Sequence, residues 1–160
     1  MTAETLLKEA KARGLFLATA ESCTGGMVGA AITDIAGSSA IYDRGFVTYT
    51  NAAKTEMLGV HPDTLAAHGA VSEQVAAEMA QGALFASKAD IAVSITGIAG
   101  PGGSEHKPEG RVCFGITDGA RVTTETVEFG ALGRAAVRAA ARDHALELLL
   151  RCVLSFPLTD

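Results

Sequence analysis

Three short segments hold most of the residues in this sequence whose types and spacing could do chemistry. They are Glu21-Ser22-Cys23-Thr24-Gly25-Gly26, Tyr49-Thr50-Asn51-Ala52-Ala53-Lys54 and Thr96-Gly97-Ile98-Ala99-Gly100-Pro101-Gly102-Gly103. Each puts polar or glycine-rich sequence where an extended stretch ends, and ligand sites in α/β sheets gather in such strand-end crevices. In the first, Ser22 stands on a turn between a buried strand and a helix, with the backbone N–H groups of Thr24, Gly25 and Gly26 just beyond it. That is the layout of a serine nucleophile beside an oxyanion hole. Ser and Thr also cap helices, so the same spacing suits Ser22 or Thr24 as a cap for the helix that follows. Cys23 is a rival thiol, and also a residue type often merely buried.

A serine nucleophile needs a base. The four histidines are poor candidates. His61 precedes a proline in a turn, His68 ends a short helix before Gly69, His106 lies in a Gly/Pro loop and His144 falls within the last amphipathic helix, all places where histidine sits without a task. Lys54 is better placed. With Asn51 as cap it occupies the first turn of a helix, where the positive end of the dipole disfavours an ammonium, and partial burial would add to that effect. A neutral amine near a hydroxyl can take its proton, which is the Ser-Lys variant of nucleophilic catalysis. A solvated helix lysine is the plainer reading of the same residue. Tyr49, at a strand end just upstream, could relay a proton or hold the hydroxyl. Tyr49 and Lys54 are five residues apart, so they miss the Tyr-x-x-x-Lys pattern of short-chain dehydrogenases, and no dinucleotide fingerprint precedes them.

The glycines of the third segment would let backbone amides face an anion, as in a phosphate or ribose cradle. No Gly-Lys-Ser/Thr follows, and Gly97, Gly100, Gly102 and Gly103 do not space as G-x-G-x-x-G, so a plain ordered loop explains them equally well. No His, Cys, Asp and Glu cluster has metal-ligand spacing; Asp34, Asp43 and Asp63 read as turn or cap residues.

The elements that must position these segments follow from a hydrophobic period that switches repeatedly between helical and extended. Residues 3–13 predict an amphipathic helix stopped by Gly14, Leu15 to Thr19 a buried strand, and 27–36 a tightly packed helix of small residues. Ile41 to Thr50 reads as a strand, Ala52 to Leu58 as a helix capped by Asn51, and Pro62 opens a short turn of helix. Ser72 caps a long helix to about Lys88 with Val75, Met79 and Ala83 inward, and Ile91 to Ile95 is the clearest strand. Arg111 to Thr117 and Arg121 to Phe129 flank the hairpin signal Asp118-Gly119, and a last helix runs from about Arg134 to Cys152. The order αβαβααβββα predicts an α/β fold, a three-layer α/β/α sandwich with a mixed sheet.

At 160 residues and 16.3 kDa the chain suits one domain spanning 1–160. Hydrophobic residues make up 48% and charged ones 19%, which supplies a core and excludes global disorder. No apolar run approaches the ~18 to 20 residues of a membrane helix, and Glu4 and Lys8 interrupt any signal-peptide core, so a cytoplasmic protein without membrane partners is expected. A net charge of -5 without a Lys/Arg block argues against nucleic-acid partners. Cys23, Cys113 and Cys152 form no C-x-x-C pair and read as reduced thiols.

Taken in order, Ala20-Glu21-Ser22-Cys23-Thr24-Gly25-Gly26, Gly45-Phe46-Val47-Thr48-Tyr49 leading into Asn51 and Lys54, Gly69-Ala70-Val71-Ser72, Thr96 to Gly103, and Lys107-Pro108-Glu109-Gly110 span nearly the whole chain. This set resembles the C-terminal domain of the competence/damage-inducible protein CinA, the nicotinamide-nucleotide amidase family. The resemblance implies an amidohydrolase that converts nicotinamide mononucleotide to nicotinic acid mononucleotide and ammonia, with no metal and no bound cofactor. By motif position it implies Ser22 as nucleophile, Lys54 as general base and Tyr49 as third catalytic residue. Thr24, Gly25 and Gly26 would receive the oxyanion, Thr96 and the glycine loop would line the nucleotide site, and Arg134 falls at an arginine position suited to a phosphate. The loop after Gly103 is about a residue shorter than the family's usual form. In many relatives the domain follows an N-terminal domain resembling molybdopterin-binding proteins, for which 160 residues leave no room. A nucleotide-binding or protein-interaction module without turnover is the alternative, and a homo-oligomer is expected as possible.

Overall fold

The structure, a computed structural model, describes residues 1–159; Asp160, where the expected domain ends, lies outside the described residues. Helix α1 (Thr2–Arg13) ends at Gly14, whose left-handed backbone (φ 66) returns its amide to the Ala10 and Lys11 carbonyls. Leu15 also bonds back to Ala10, so strand β1 (Leu17–Glu21) starts two residues later than its apolar run suggests, and Glu21 belongs to the strand. There follow α2 (Met27–Thr33), a 3-10 turn (Ser38–Ala40), β2 (Tyr42–Val47), α3 (Asn51–Leu58), α4 (Pro62–His68), α5 (Glu73–Phe85), β3 (Ile91–Gly97), β4 (Arg111–Thr117), β5 (Val122–Glu128) and α6 (Arg134–Leu154).

The strands form one mixed sheet in the order β2-β1-β3-β4-β5. β1 pairs in parallel with β2 and β3, Glu21 standing opposite Val47 and Ile95, and β4 and β5 continue antiparallel. β1 and almost all of β3 are buried on both faces, as their unbroken apolar runs require. Helices α1, α2 and α6 cover one face over a core of Leu6, Leu17, Ile32, Ile91, Val93, Phe114 and Leu149. On the other face α3, α4 and α5 cover a smaller core of Ala18, Ala20, Leu58, Val75, Met79 and Ala92. The period of two along β1 and β3 divides these residues between the layers.

The three-layer α/β/α expectation describes this architecture, with one helix more than αβαβααβββα allows. The turn opened by Pro62 continues to His68 as α4 because Glu78 of α5 accepts both the His61 amide and the Thr64 hydroxyl, tying the start of α4 to its neighbour. The cap of α3 is Thr50 and not Asn51: the Thr50 hydroxyl accepts the Ala53 amide. Ser72 caps α5 as expected, accepting from Val75. Helix α5 lies very close to its neighbours through glycines: a Cβ on Gly82 would stand 1.9 Å from the Leu58 carbonyl oxygen, and one on Gly115 would stand 2.5 Å from that of Ala76.

Candidate active site

The first segment leaves the sheet at the carboxyl end of β1. The Ser22 amide donates to the Ile95 carbonyl (2.9 Å), and the Gly25 amide closes a tight turn on the Ser22 carbonyl (3.0 Å). Neither Ser22 nor Thr24 caps α2. That task falls to Glu21, 2% exposed, whose carboxylate accepts the Thr24 hydroxyl (2.6 Å) and the amides of Val28 (2.9 Å) and Gly29 (3.1 Å). A carboxylate at the positive end of a helix satisfies orphan amides and the dipole together. With the cap supplied from the strand, the Ser22 hydroxyl is free for another partner.

That partner is Lys54. Only 1% exposed, its Nζ lies 3.0 Å from Ser22 Oγ, 3.0 Å from the Thr48 carbonyl and 3.1 Å from the Tyr49 carbonyl. Two of the three neighbours can only accept, and the third is a hydroxyl. Nζ donates to all three, as the three N–H groups of an ammonium can; a neutral amine, with two N–H donors, keeps both carbonyls and turns its lone pair to the Ser22 O–H. Burial lowers the Lys54 pKa from its ordinary value, desolvation being the largest cause. The Cys23 side chain, 6% exposed, has its thiol pushed up to about 11 by burial, which makes it a poor nucleophile beside Ser22.

Above this pair opens a cavity of about 340 Å³ between the Ser22 turn, the start of α3, the loop after β3 and the start of α6. The structure brings Ser22, Tyr49, Lys54, Gly97, Gly100, Gly102, Gly103 and Arg134 to its wall. It leaves others out of that lining, and the Gly25 amide, spent on the Ser22 carbonyl, is not free for an oxyanion. Thr24 is fully buried on Glu21, Gly25 and Gly26 turn the chain at φ 59 and 107, and the Thr96 hydroxyl donates to the Ala70 carbonyl (2.8 Å). Tyr49 meets Lys54 through its carbonyl; its hydroxyl, on a 59% exposed side chain, accepts from Arg134 Nη2 (3.0 Å). Arg134 Nη1 donates to the Gly100 carbonyl (2.8 Å), so this arginine bridges the tyrosine and the glycine loop. None of the four histidines lines the cavity; His144 pairs with Glu125 and packs on Phe114. Among the described residues no group of three or more His, Cys, Asp or Glu is placed to hold a metal ion.

Sequence reasoning missed two groups that shape the site. Glu21 reads as part of a polar turn, although a carboxyl next to a buried strand raises the question of its partners. Arg138 donates from Nε to the Cys23 carbonyl (3.0 Å) and from Nη2 to the Thr24 carbonyl (3.3 Å). Its spacing of one helical turn from Arg134, which puts both on one face of α6, was the available signal.

The family profile described as "CinA C-terminal domain" matches residues 1–153. The chain belongs to this family. It is 58% identical to the nicotinamide-nucleotide amidohydrolase PncC of Escherichia coli (strain K12), over 87% of this chain and 85% of that protein. It is equally 58% identical to the nicotinamide-nucleotide amidohydrolase PncC of Enterobacter agglomerans, over 88% of this chain and 87% of that one. Among solved structures, the competence/damage inducible protein CihA from Agrobacterium tumefaciens superposes with a TM-score of 0.91 at 49% identity, covering 94% of this chain and 92% of that one. In this chain the Lys107-Pro108-Glu109-Gly110 motif buttresses the cavity loop. Lys107 Nζ donates to the His68 and Val71 carbonyls (2.6 Å each), and the Glu109 carboxylate accepts the Gly102 amide (2.5 Å).

Proposed function

We propose that this chain is a nicotinamide-nucleotide amidase, hydrolysing the carboxamide of nicotinamide mononucleotide to nicotinate mononucleotide and ammonia through Ser22 and Lys54. The observation that carries the reading is the buried contact of 3.0 Å between Lys54 Nζ and Ser22 Oγ, with two carbonyls taking the other positions of the amine. Lys54 accepts the Ser22 proton as Oγ attacks the carboxamide carbon. Lys54 then returns a proton to the nitrogen as the C–N bond breaks, releasing ammonia and leaving an ester on Ser22. A water molecule, giving its proton to Lys54, attacks the ester, and the second collapse restores Ser22 and frees the acid. The 340 Å³ cavity is of the size that takes small ligands. Arg134 and the glycine loop offer donors to the phosphate. Tyr49, bonded to Arg134 at the rim, is assigned to the same machinery as its third side chain.

Ammonia release from nicotinamide mononucleotide by the purified protein, with EDTA present and Lys54→Ala as control, tests this directly. Activity in the wild type and none in the variant is the expected result. Nucleotide binding without ammonia release overturns it in favour of a binding module.

A further inference from the structure

One charged side chain beside the site has no part in the chemistry above. Arg138 reaches from α6 to the turn after Ser22 and bonds two successive carbonyls, those of Cys23 and Thr24. Gly25 makes room for it: a Cβ there would stand 3.3 Å from Nη2, and the residue's φ of +59 suits glycine. The turn is therefore held from two poles. Glu21, which can only accept, takes the Thr24 hydroxyl and two amides at the start of α2; Arg138, which can only donate, takes the turn's carbonyls. The two poles do not neutralise each other, since no ion pair joins them among the described residues.

We propose that Arg138 is a positioning residue that fixes the peptide planes behind Ser22 and thereby holds Ser22 Oγ in place against Lys54 Nζ. Holding the Cys23 and Thr24 carbonyls at α6 by charge-assisted bonds denies these two peptides the freedom to rotate, and with them the backbone from which Ser22 Oγ meets Lys54 Nζ at 3.0 Å. Because Arg134 on the same face of α6 holds the Gly100 carbonyl, one helix sets both walls of the cavity. The inference rests on the assignment of Ser22 as nucleophile.

The experiment compares wild type with Arg138→Ala, Arg138→Lys and Arg138→Gln in three readouts. These are kcat and KM for ammonia release from nicotinamide mononucleotide, the rate at which a fluorophosphonate labels Ser22, and the urea midpoint. Arg138→Ala lowers kcat about 10²-fold, the scale of a reacting group displaced by about 1 Å, with KM changed less than about twofold. It also slows Ser22 labelling, and millimolar guanidinium ion restores part of both. Arg138→Lys stays low because an ammonium does not reproduce the planar fork, and Arg138→Gln, keeping one neutral donor, falls between. A raised KM with unchanged kcat makes Arg138 a substrate contact and overturns the proposal. So does a kcat loss that merely follows the unfolded fraction, labelling at the wild-type rate, or a wild type that is not labelled at Ser22. Slowed labelling in Arg138→Ala together with no ammonia release by the wild type would sink the amidase reading while leaving the positioning role standing.

Discussion

A buried lysine beside a serine hydroxyl leaves few choices of protonation. Lys54 has two carbonyls and the Ser22 hydroxyl as partners and no carboxylate in contact, and desolvation drives its pKa down, which favours the amine more than in a lysine in water. The rate of ammonia release is therefore expected to rise with pH through a group titrating below the ~10.4 of a free lysine and then level off. A profile that keeps climbing to the free-lysine value would count against Lys54 as base. At the neighbouring position, Ser22→Ala should cost at least about 10³-fold in kcat, whereas Cys23→Ala should stay within a few-fold of wild type. The reverse pattern would transfer the nucleophile to the thiol. That Ser22 and Lys54 stand at the cavity was legible in the sequence because a strand-to-helix turn and a helix-start lysine are local patterns. The dominant cause of the lysine's depressed pKa was not: dipole reasoning starts from sequence position, while burial depends on α3 closing over β1. Glu21 and Arg138 escaped notice for the same reason, since their partners are set by tertiary contacts.

Elements were legible where their signals are local, and shifted where a neighbour decides the boundary. Gly14, Ser72 and the Asp118-Gly119 hairpin punctuate the chain as their chemistry requires. The start of β1, the cap of α3 and the full length of α4 depend on Leu15 returning to Ala10, on Thr50 rather than Asn51 meeting Ala53, and on Glu78 reaching back to His61. Helix α5 shows how such contacts matter energetically. Gly82 is a poor helix former, yet a Cβ at that position would collide with the backbone of Leu58, where no side-chain rotation can give relief. Gly82→Ala should accordingly destabilise the protein by about 3 kcal/mol despite alanine's better propensity. Thermal unfolding would register this as a fall of roughly 6 to 12 °C, and a rise would show that α5 can slide without cost.

At the scale of the molecule, the buried amine couples stability to pH. A lysine whose folded pKa lies below its unfolded value binds fewer protons when folded, so stability climbs with pH between the depressed value and ~10.4. Urea midpoints taken across that window should rise in the wild type, and the Lys54 contribution to the slope should vanish in Lys54→Met; identical slopes would place the amine in water. The overall α/β arrangement could be read from alternating periods, but the pairing of the first and last helices could not, because no local signal links residues so far apart. Helices α1 and α6 together cover one face of the sheet, and Arg13 reaches the Phe156 carbonyl to join the chain's two ends. During synthesis, α1 thus leaves the ribosome with its apolar stripe uncovered and must wait for residues 14–133 before its partner begins to emerge. At ~5–20 residues per second that is on the order of ten seconds. Throughout that interval the nascent chain holds Ser22 and then Lys54 without the arginines of α6, exposing a sticky helix to chaperones and proteases before it has a finished site.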